Sequence, residues 1–234
     1  MISPTGSFHL LRFRGIDVQL HWSWFLIAAF QLTSRSAQGM FEGPYWHVAV
    51  YLSLFGIVLL HEFGHALACR SVGGVANRIV LWPLGGVAYV RPPMRPGAVL
   101  WSIAAGPLVN VALVPVTIGL FIASGAHEVP ALRGSDLQTF VTLLAIMNFT
   151  LLAFNLLPVY PLDGGQIVHA LLWFVMGWRK SLLVTAGLGA LAAAVGVGLA
   201  MWMGDYWLVI VALYLGFNAV QGWRMARSVT GGPS

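Results

Sequence analysis

Residues 48–74 read VAVYLSLFGIVLLHEFGHALACRSVGG. An apolar run from Val48 to Leu60 leads without a break into His61-Glu62-Phe63-Gly64-His65. On a helix, positions i and i+4 share a face, so His61 and His65 can grip one metal ion. Glu62 lies beside the first histidine, where a carboxylate can take a proton from water held at such an ion. A carboxylate in a lipid-buried helix is costly and marks a functional position. The chain has 7 histidines and glutamate only at 42, 62 and 128. Random placement would therefore yield a His-Glu-x-x-His match only about 0.003 times. The competing reading, a polar helix end meeting interfacial water, needs no such spacing.

Composition bounds the rest. Hydrophobic residues make up 59% of the chain and charged residues 8%, against about 25% charged in soluble domains. There are too few charges to cover a water-soluble surface, which implies an integral membrane protein. The lipid bilayer is thus an expected partner. The sequence pI of about 9.9 does not imply nucleic acid, because the basic residues flank apolar segments, as anchoring and orientation require. The one cysteine, Cys69, excludes an internal disulfide. No removable signal peptide is read at the N-terminus. The 234 residues are expected to form one membrane domain, 1–234, with its site-bearing core at about 48–166.

The expected architecture is an all-α polytopic membrane protein with about six transmembrane helices and a small membrane-embedded β-hairpin after the second. Residues 1–17 read as an interfacial lead. A first span is expected from Val18 to about Leu32, with His21, Trp22 and Trp24 at its start. His21 reads as an interfacial histidine or as a second polar group near the site. The second span is the 48–72 helix, which reaches the roughly 20 residues needed to cross a bilayer only by including the His-Glu-His stretch. Next, SVGGVANRIVLWPLGGVAYVRPP (71–93) reads as a β-hairpin divided at Gly85-Gly86. It can wall a cavity beside the helix, and its free edge can pair with an extended peptide. Further spans are expected at about 98–124 and 137–154, then a short apolar stretch at 166–178 ending in Arg179-Lys180, then 182–203 and 206–220. Asn110, in Gly106-Pro107-Leu108-Val109-Asn110, is a buried amide expected to serve as interhelical glue or to contact the site.

Orientation follows from the basic residues. With the N-terminus in the cytoplasm, 10 of the 12 Lys and Arg residues fall on the cytoplasmic side, leaving Arg35 and Arg133 opposite. The same tracing puts His61, His65 and Asp163 near the cytoplasmic side.

A catalytic zinc takes three protein ligands and keeps a position for water. Two histidines supply two. The remaining acids apart from Glu62 lie in loops or at span ends, except Asp163, which sits in an apolar region on the right side. It follows Asn155-Leu156-Leu157-Pro158-Val159-Tyr160-Pro161-Leu162, whose prolines break the helix. Cys69 is the rival ligand, at i+4 from His65 but i+8 from His61 and so about 12 Å along the axis from it. His169 is a weaker candidate. Glu62 is the expected base, and Asn155 can donate a hydrogen bond to a bound backbone or a developing oxyanion. The same buried His and Asp groups also suit a membrane metal or ion transporter, and an inactive helix-binding relative would carry them too. Polar groups gathered on one side argue against a transport path, and the intact Glu62 argues against an inactive relative.

His-Glu-Phe-Gly-His at 61–65 and Asn-Leu-Leu-Pro-Val-Tyr-Pro-Leu-Asp-Gly-Gly at 155–165, with Gly106-Pro107, Asn110 and Gly85-Gly86, resemble the site-2 proteases, the intramembrane zinc metalloproteases. The resemblance covers about residues 48 to 166. It implies one Zn2+ bound by His61, His65 and Asp163, Glu62 as catalytic base, and Asn155 in substrate handling. It implies cleavage of single-pass membrane proteins such as anti-sigma factors and other regulators, usually after a first cut. Many members carry a PDZ or CBS domain, and the sequence to Ser234 shows neither, which suggests the compact form. Arginine far exceeding lysine points to a GC-rich prokaryote.

Overall fold

The computed structural model describes residues 6–26, 29, 39–82, 85–130 and 132–228. Four strands position the helix that carries the motif. β1 (Ser7–Phe13) and β2 (Ile16–His21) form an antiparallel hairpin. Its turn residues Arg14 and Gly15 both have positive φ, 48° and 74°, the conformation of the tight turns that suit hairpins. β3 (Val75–Trp82) pairs in parallel with β2, Asp17 opposite Arg78 through Leu20 opposite Leu81. β4 (Gly85–Arg91) pairs antiparallel with β3, from Val75 opposite Arg91 to Trp82 opposite Gly85. The sheet order is β1-β2-β3-β4.

Parallel neighbours need a crossover, usually a helix. Here that crossover is α1 (Pro44–Ser71), the 28-residue helix bearing His61 and His65. Proline at its start has no N–H to orphan. At its end Gly73 takes φ +85° and donates to the Arg70 carbonyl at 3.0 Å, while Gly74 donates to Cys69 at 2.9 Å. The Arg70 side chain closes the joint, with Nε on the Ala76 carbonyl at 2.8 Å and its terminal nitrogens on the carbonyls of Arg14 and Gly15. Between sheet and helix lies an apolar core of Ile16, Val18, Trp24, Val58, Ile79 and Leu81.

Two expectations for this region are corrected. Within the expected lead and the start of the first span, Ser7–Phe13 and Ile16–His21 are strands, not helix or interfacial coil. Ile16-Asp17-Val18-Gln19-Leu20-His21 alternates apolar and polar side chains, a period-two pattern. It escaped notice because it runs into the apolar stretch after Trp22. Residues 27–28 and 30–32, the rest of that expected span, lie outside the described residues, as do 33–38 of the loop after it. The hairpin at 75–91 forms as expected, but Gly85 and Gly86 belong to β4, opposite Trp82 and Leu81. Residues 83–84, between the two strands, also lie outside the described residues.

Four more helices follow: α2 (Pro96–Ala123), α3 (Asp136–Asn155), α4 (Asp163–Met203) and α5 (Tyr206–Ser228). Together with α1, five helices among the described residues are long and apolar enough to cross a membrane, as in a multi-pass membrane protein. The expected spans at 137–154 and 206–220 sit within these helices, and that at 98–124 overruns α2 by one residue. The expected stretches 166–178 and 182–203 are one element, α4, interrupted at Gly177, whose φ of 78° and ψ of 162° are not helical. The two arms are about 21 Å and 39 Å long at 1.5 Å per residue, so only the second can span a bilayer core of about 30 Å.

By contact the chain divides into two units, residues 1–91 with 105–152, and residues 92–104 with 153–234. The first holds the sheet, α1 and most of α2 and α3. In the second, α4 packs on α5 through small residues, Gly196 against Ala212 and Gly216 against Ala193. Small residues permit this close helix approach where lipid offers no hydrophobic drive. Across the Gly177 break, Ser181 pairs with His169 at 2.9 Å, and Arg179 Nε donates to the Ala226 carbonyl at 3.1 Å.

Gly177 occupies a backbone region that is essentially restricted to glycine. Gly177→Ala is expected to destabilise the protein by about 1–3 kcal/mol. Gly187→Ala, in the same helix with no atom near the added methyl, is expected to be neutral or slightly stabilising. Thermal unfolding of both variants in detergent checks the pair, and equal melting temperatures would contradict the strain argument.

Candidate metal centre

α1 presents three buried polar side chains in its apolar surround. His61, Glu62 and His65 are 3%, 5% and 6% exposed. The two imidazoles turn their Nε2 atoms toward each other, 3.1 Å apart, with the rings nearly perpendicular. Convergent ring nitrogens one helical turn apart are the spacing expected of two ligands to one ion.

α2 reaches this face by presenting glycine. A Cβ on Gly106 would lie 2.2 Å from His65 Nε2 and 2.8 Å from His61 Nε2. A Cβ on Gly64 would lie 2.6 Å from the Ala105 carbonyl oxygen. Gly64 and Gly106 thus let α1 and α2 backbones approach while keeping the space beside the nitrogens clear. One turn further on, Asn110 is fully buried and its Oδ1 lies 2.6 Å from His61 Nδ1. Asn110 in turn gives an Nδ2–H to Asn148 Oδ1 on α3 at 2.8 Å, and Asn148 Nδ2 donates to the Asn110 backbone carbonyl at 3.1 Å. Asn110 therefore does both things considered for it: it ties α2 to α3, and it grips a motif histidine.

Glu62 is held by the sheet. Its Oε2 accepts the Ala88 backbone N–H of β4 at 2.7 Å. A Cβ on Gly86 would come within 2.2–2.6 Å of the Glu62 side chain. Gly86 is glycine because a carboxylate occupies its side-chain space, a reason unrelated to turning the chain.

Asp163 opens α4. The segment before it doubles back on the helix start: a Cβ on Gly164 would meet the Leu156 and Leu157 carbonyls at 2.3 and 2.4 Å, and one on Gly165 would meet the Tyr160 nitrogen at 2.3 Å. Two glycines far along the chain seat the same segment. Gly189 faces the Tyr160 carbonyl and Gly222 faces its ring, at 2.5 and 2.6 Å from where a Cβ would be. His61 and His65 bring two imidazole nitrogens together, and Asp163 carries a carboxylate at the start of α4. Two imidazoles and a carboxylate are the three-ligand set that leaves zinc a position for water, so these side chains fit one such ion.

The other expected residues fall as follows. Asn155 is the last residue of α3, partly buried, at the start of the segment leading to Asp163. Cys69 is buried in the sheet–helix core with Sγ 3.6 Å from the Val75 carbonyl, which is the small apolar role rather than the rival ligand role. His169 pairs with Ser181 and stacks on Trp173. His21 ends β2, stacks on Trp82 with centroids 3.9 Å apart and bonds the Ser23 hydroxyl. Asn148 escaped the sequence reading. Its signal was a lone amide in Ala145-Ile146-Met147-Asn148-Phe149, a polar group that a lipid-spanning helix carries only with a partner.

Fold and site together define a membrane-embedded metal centre of the His-Glu-x-x-His kind, carried on a helix that crosses between two parallel strands. The chain is similar to proteins named as zinc metalloproteases and to a solved site-2 protease. The sequence model of Peptidase family M50 matches residues 122–201. A zinc metalloprotease of Methanocaldococcus jannaschii is 29% identical over 226 residues, 96% of this chain and 62% of that protein. Stage IV sporulation protein FB of Bacillus subtilis is 33% identical over 151 residues, 62% of this chain and 47% of its own. Among solved structures, the site-2 protease from Methanocaldococcus jannaschii superposes with a TM-score of 0.63 at 27% identity, covering 97% of this chain and 98% of that one. The chain thus spans from 47% to 62% of the length of the curated relatives it matches.

Gly106→Ala drives a methyl into the histidine pair. It is expected to weaken metal retention by at least about tenfold, the lower end for disturbing the surroundings of a ligand. Gly119→Ala on the same helix meets no atom and is expected to retain metal normally. Metal analysis after purification in detergent checks both, and equal content in the two variants would show that Gly106 does not guard the site.

Proposed function

We propose that the protein is an intramembrane zinc metalloprotease that hydrolyses peptide bonds in or near transmembrane segments of membrane-anchored regulatory proteins. The observation that carries the reading is the burial of His61, Glu62 and His65 on one helix, with the two imidazole Nε2 atoms 3.1 Å apart. His61, His65 and Asp163 would hold the ion. When bound, zinc acidifies water to a pKa near about 7 and polarises a carbonyl.

The chain's own residues supply the remaining chemistry. Glu62 takes the proton of the attacking water and later gives one to the leaving amine nitrogen. Its carboxylate is kept in place by the Ala88 N–H, so the base is positioned before substrate arrives. Asn155 donates to the substrate backbone or the developing oxyanion. β4 is one of the two edge strands of the sheet among the described residues, and its edge offers backbone groups to an extended peptide. A peptide inside a transmembrane helix hides its carbonyls in hydrogen bonds. The preferred substrates are therefore single-pass segments with helix-weak residues near the cut, in regulators of the anti-sigma-factor type. The excess of Arg and Lys on one side puts the N-terminus and the site toward the cytoplasm.

Glu62→Gln, which keeps the shape and removes the base, is expected to lower cleavage of a membrane-spanning test substrate by about 10²–10⁴-fold with zinc content unchanged. His61→Ala and Asp163→Ala are expected to lose both zinc and cleavage. Undiminished cleavage by Glu62→Gln would remove the protease reading, and unchanged zinc in either alanine variant would remove that residue from the ligand set.

A further inference from the structure

A neutral imidazole carries its proton on one ring nitrogen, and only the other can bind a metal. What selects between them at His61 can be read from a chain of three hydrogen bonds that ends on a group with no choice of polarity. The Asn110 backbone carbonyl can only accept. The atom of Asn148 that meets it at 3.1 Å must therefore be the amide Nδ2. That leaves Oδ1 of Asn148 to face Asn110, and an oxygen can only accept, so the atom it meets at 2.8 Å is Asn110 Nδ2. Asn110 Oδ1 is then the atom 2.6 Å from His61 Nδ1, and the nitrogen must donate. The proton of His61 sits on Nδ1, and the lone pair sits on Nε2, the atom 3.1 Å from its counterpart on His65.

We infer that Asn148 on α3 is a positioning residue: through Asn110 it fixes the Nδ1–H tautomer of His61 and so presents Nε2 as a metal ligand. The use of that tautomer rests on the zinc reading above, whereas the tautomer itself does not. Asn110 alone cannot set it. An isolated carboxamide turns end for end at little cost and would then give its NH2 to His61 Nδ1, moving the proton to Nε2 and blocking the ligand position. Asn110 and Asn148 are both 0% exposed, so water does not scramble the polarity, and each bond of a buried polar chain is strengthened by its neighbours. The loop closes on Asn110 itself, with side chain to Asn148 and Asn148 back to the backbone, so the orientation is tied to the helix rather than to a mobile group.

The test uses the full chain in detergent with isotope-labelled histidine nitrogens, stripped of metal and held above the ordinary imidazole pKa of about 6.5. Nitrogen chemical shifts report which ring atom of His61 is protonated. The wild type is expected to show Nδ1–H. Asn148→Leu, similar in size and without polarity, is expected to give a mixture of tautomers and to lose zinc to a chelator about tenfold more readily. Asn148→Asp, kept as the neutral acid by burial, gives its O–H to the Asn110 carbonyl and turns its other oxygen to Asn110 Nδ2, and it is expected to retain both the tautomer and zinc retention. An ordinary helix-packing pair would lower the melting temperature of both variants and leave the tautomer alone. Nε2–H in the wild type overturns the inference, as does Nδ1–H with normal zinc retention in Asn148→Leu, or an Asn148→Asp that behaves like the leucine variant. If the leucine variant does not fold, the wild type and the aspartate variant decide. Unchanged zinc in His61→Ala would overturn the metal reading instead, while the metal-free spectra still judge the relay.

Discussion

A carboxylate and two imidazoles sit buried in an apolar helix, and each must find a partner or exact a desolvation cost of several kcal/mol. Most of the surrounding structure answers that demand. Glu62 is met by a backbone N–H from β4, His61 by an amide from α2, and that amide by another from α3. The sheet reaches Glu62 because α1 is the crossover between two of its strands. A parallel pairing fixes where the helix end returns to the sheet, and the antiparallel β4 is then carried to the helix face. The site is thus a product of strand topology as much as of the helix that bears the motif.

Glycine does the complementary work of leaving space. At Gly64 and Gly106 it lets two helices close on the histidine pair. At Gly86 it makes room for the carboxylate. At Gly164, Gly165, Gly189 and Gly222 it lets the segment before Asp163 fold against helix backbones. In each case the missing methyl is required by a named neighbouring atom rather than by a turn, which is why a reading that treats glycine as punctuation misplaced Gly86.

The motif histidines, Glu62 and Asp163 were legible because their chemistry is local: spacing along one helix, and an acid in an apolar stretch after paired prolines. The β3–β4 hairpin was legible for the same reason. The pairing of β2 with β3 was not, since its partners are about sixty residues apart and nothing in either strand names the other. Ile16–His21 carried its alternation openly but was masked by the apolar run beside it. Gly177 shows a right boundary reached for another reason. The basic pair Arg179-Lys180 marked the end of the stretch, whereas the backbone at a single glycine makes the break. Asn148 was visible as an intramembrane amide, but its partner could not be named, because sequence does not say which faces of two helices meet.

The joint at the end of α1 has a consequence for how the protein meets its surroundings. Arg70 spends its donors on three neutral carbonyls, Ala76, Arg14 and Gly15, and its charge lies at the negative end of a helix dipole. No acid takes part in those bonds. The ion pairs seen among the described residues, such as Arg12 with Asp17, lie at exposed positions, where ionic strength screens them and their worth is about 0–1 kcal/mol. The joint is therefore built from directional dipoles rather than from opposite charges. Ionic strength has little hold on it.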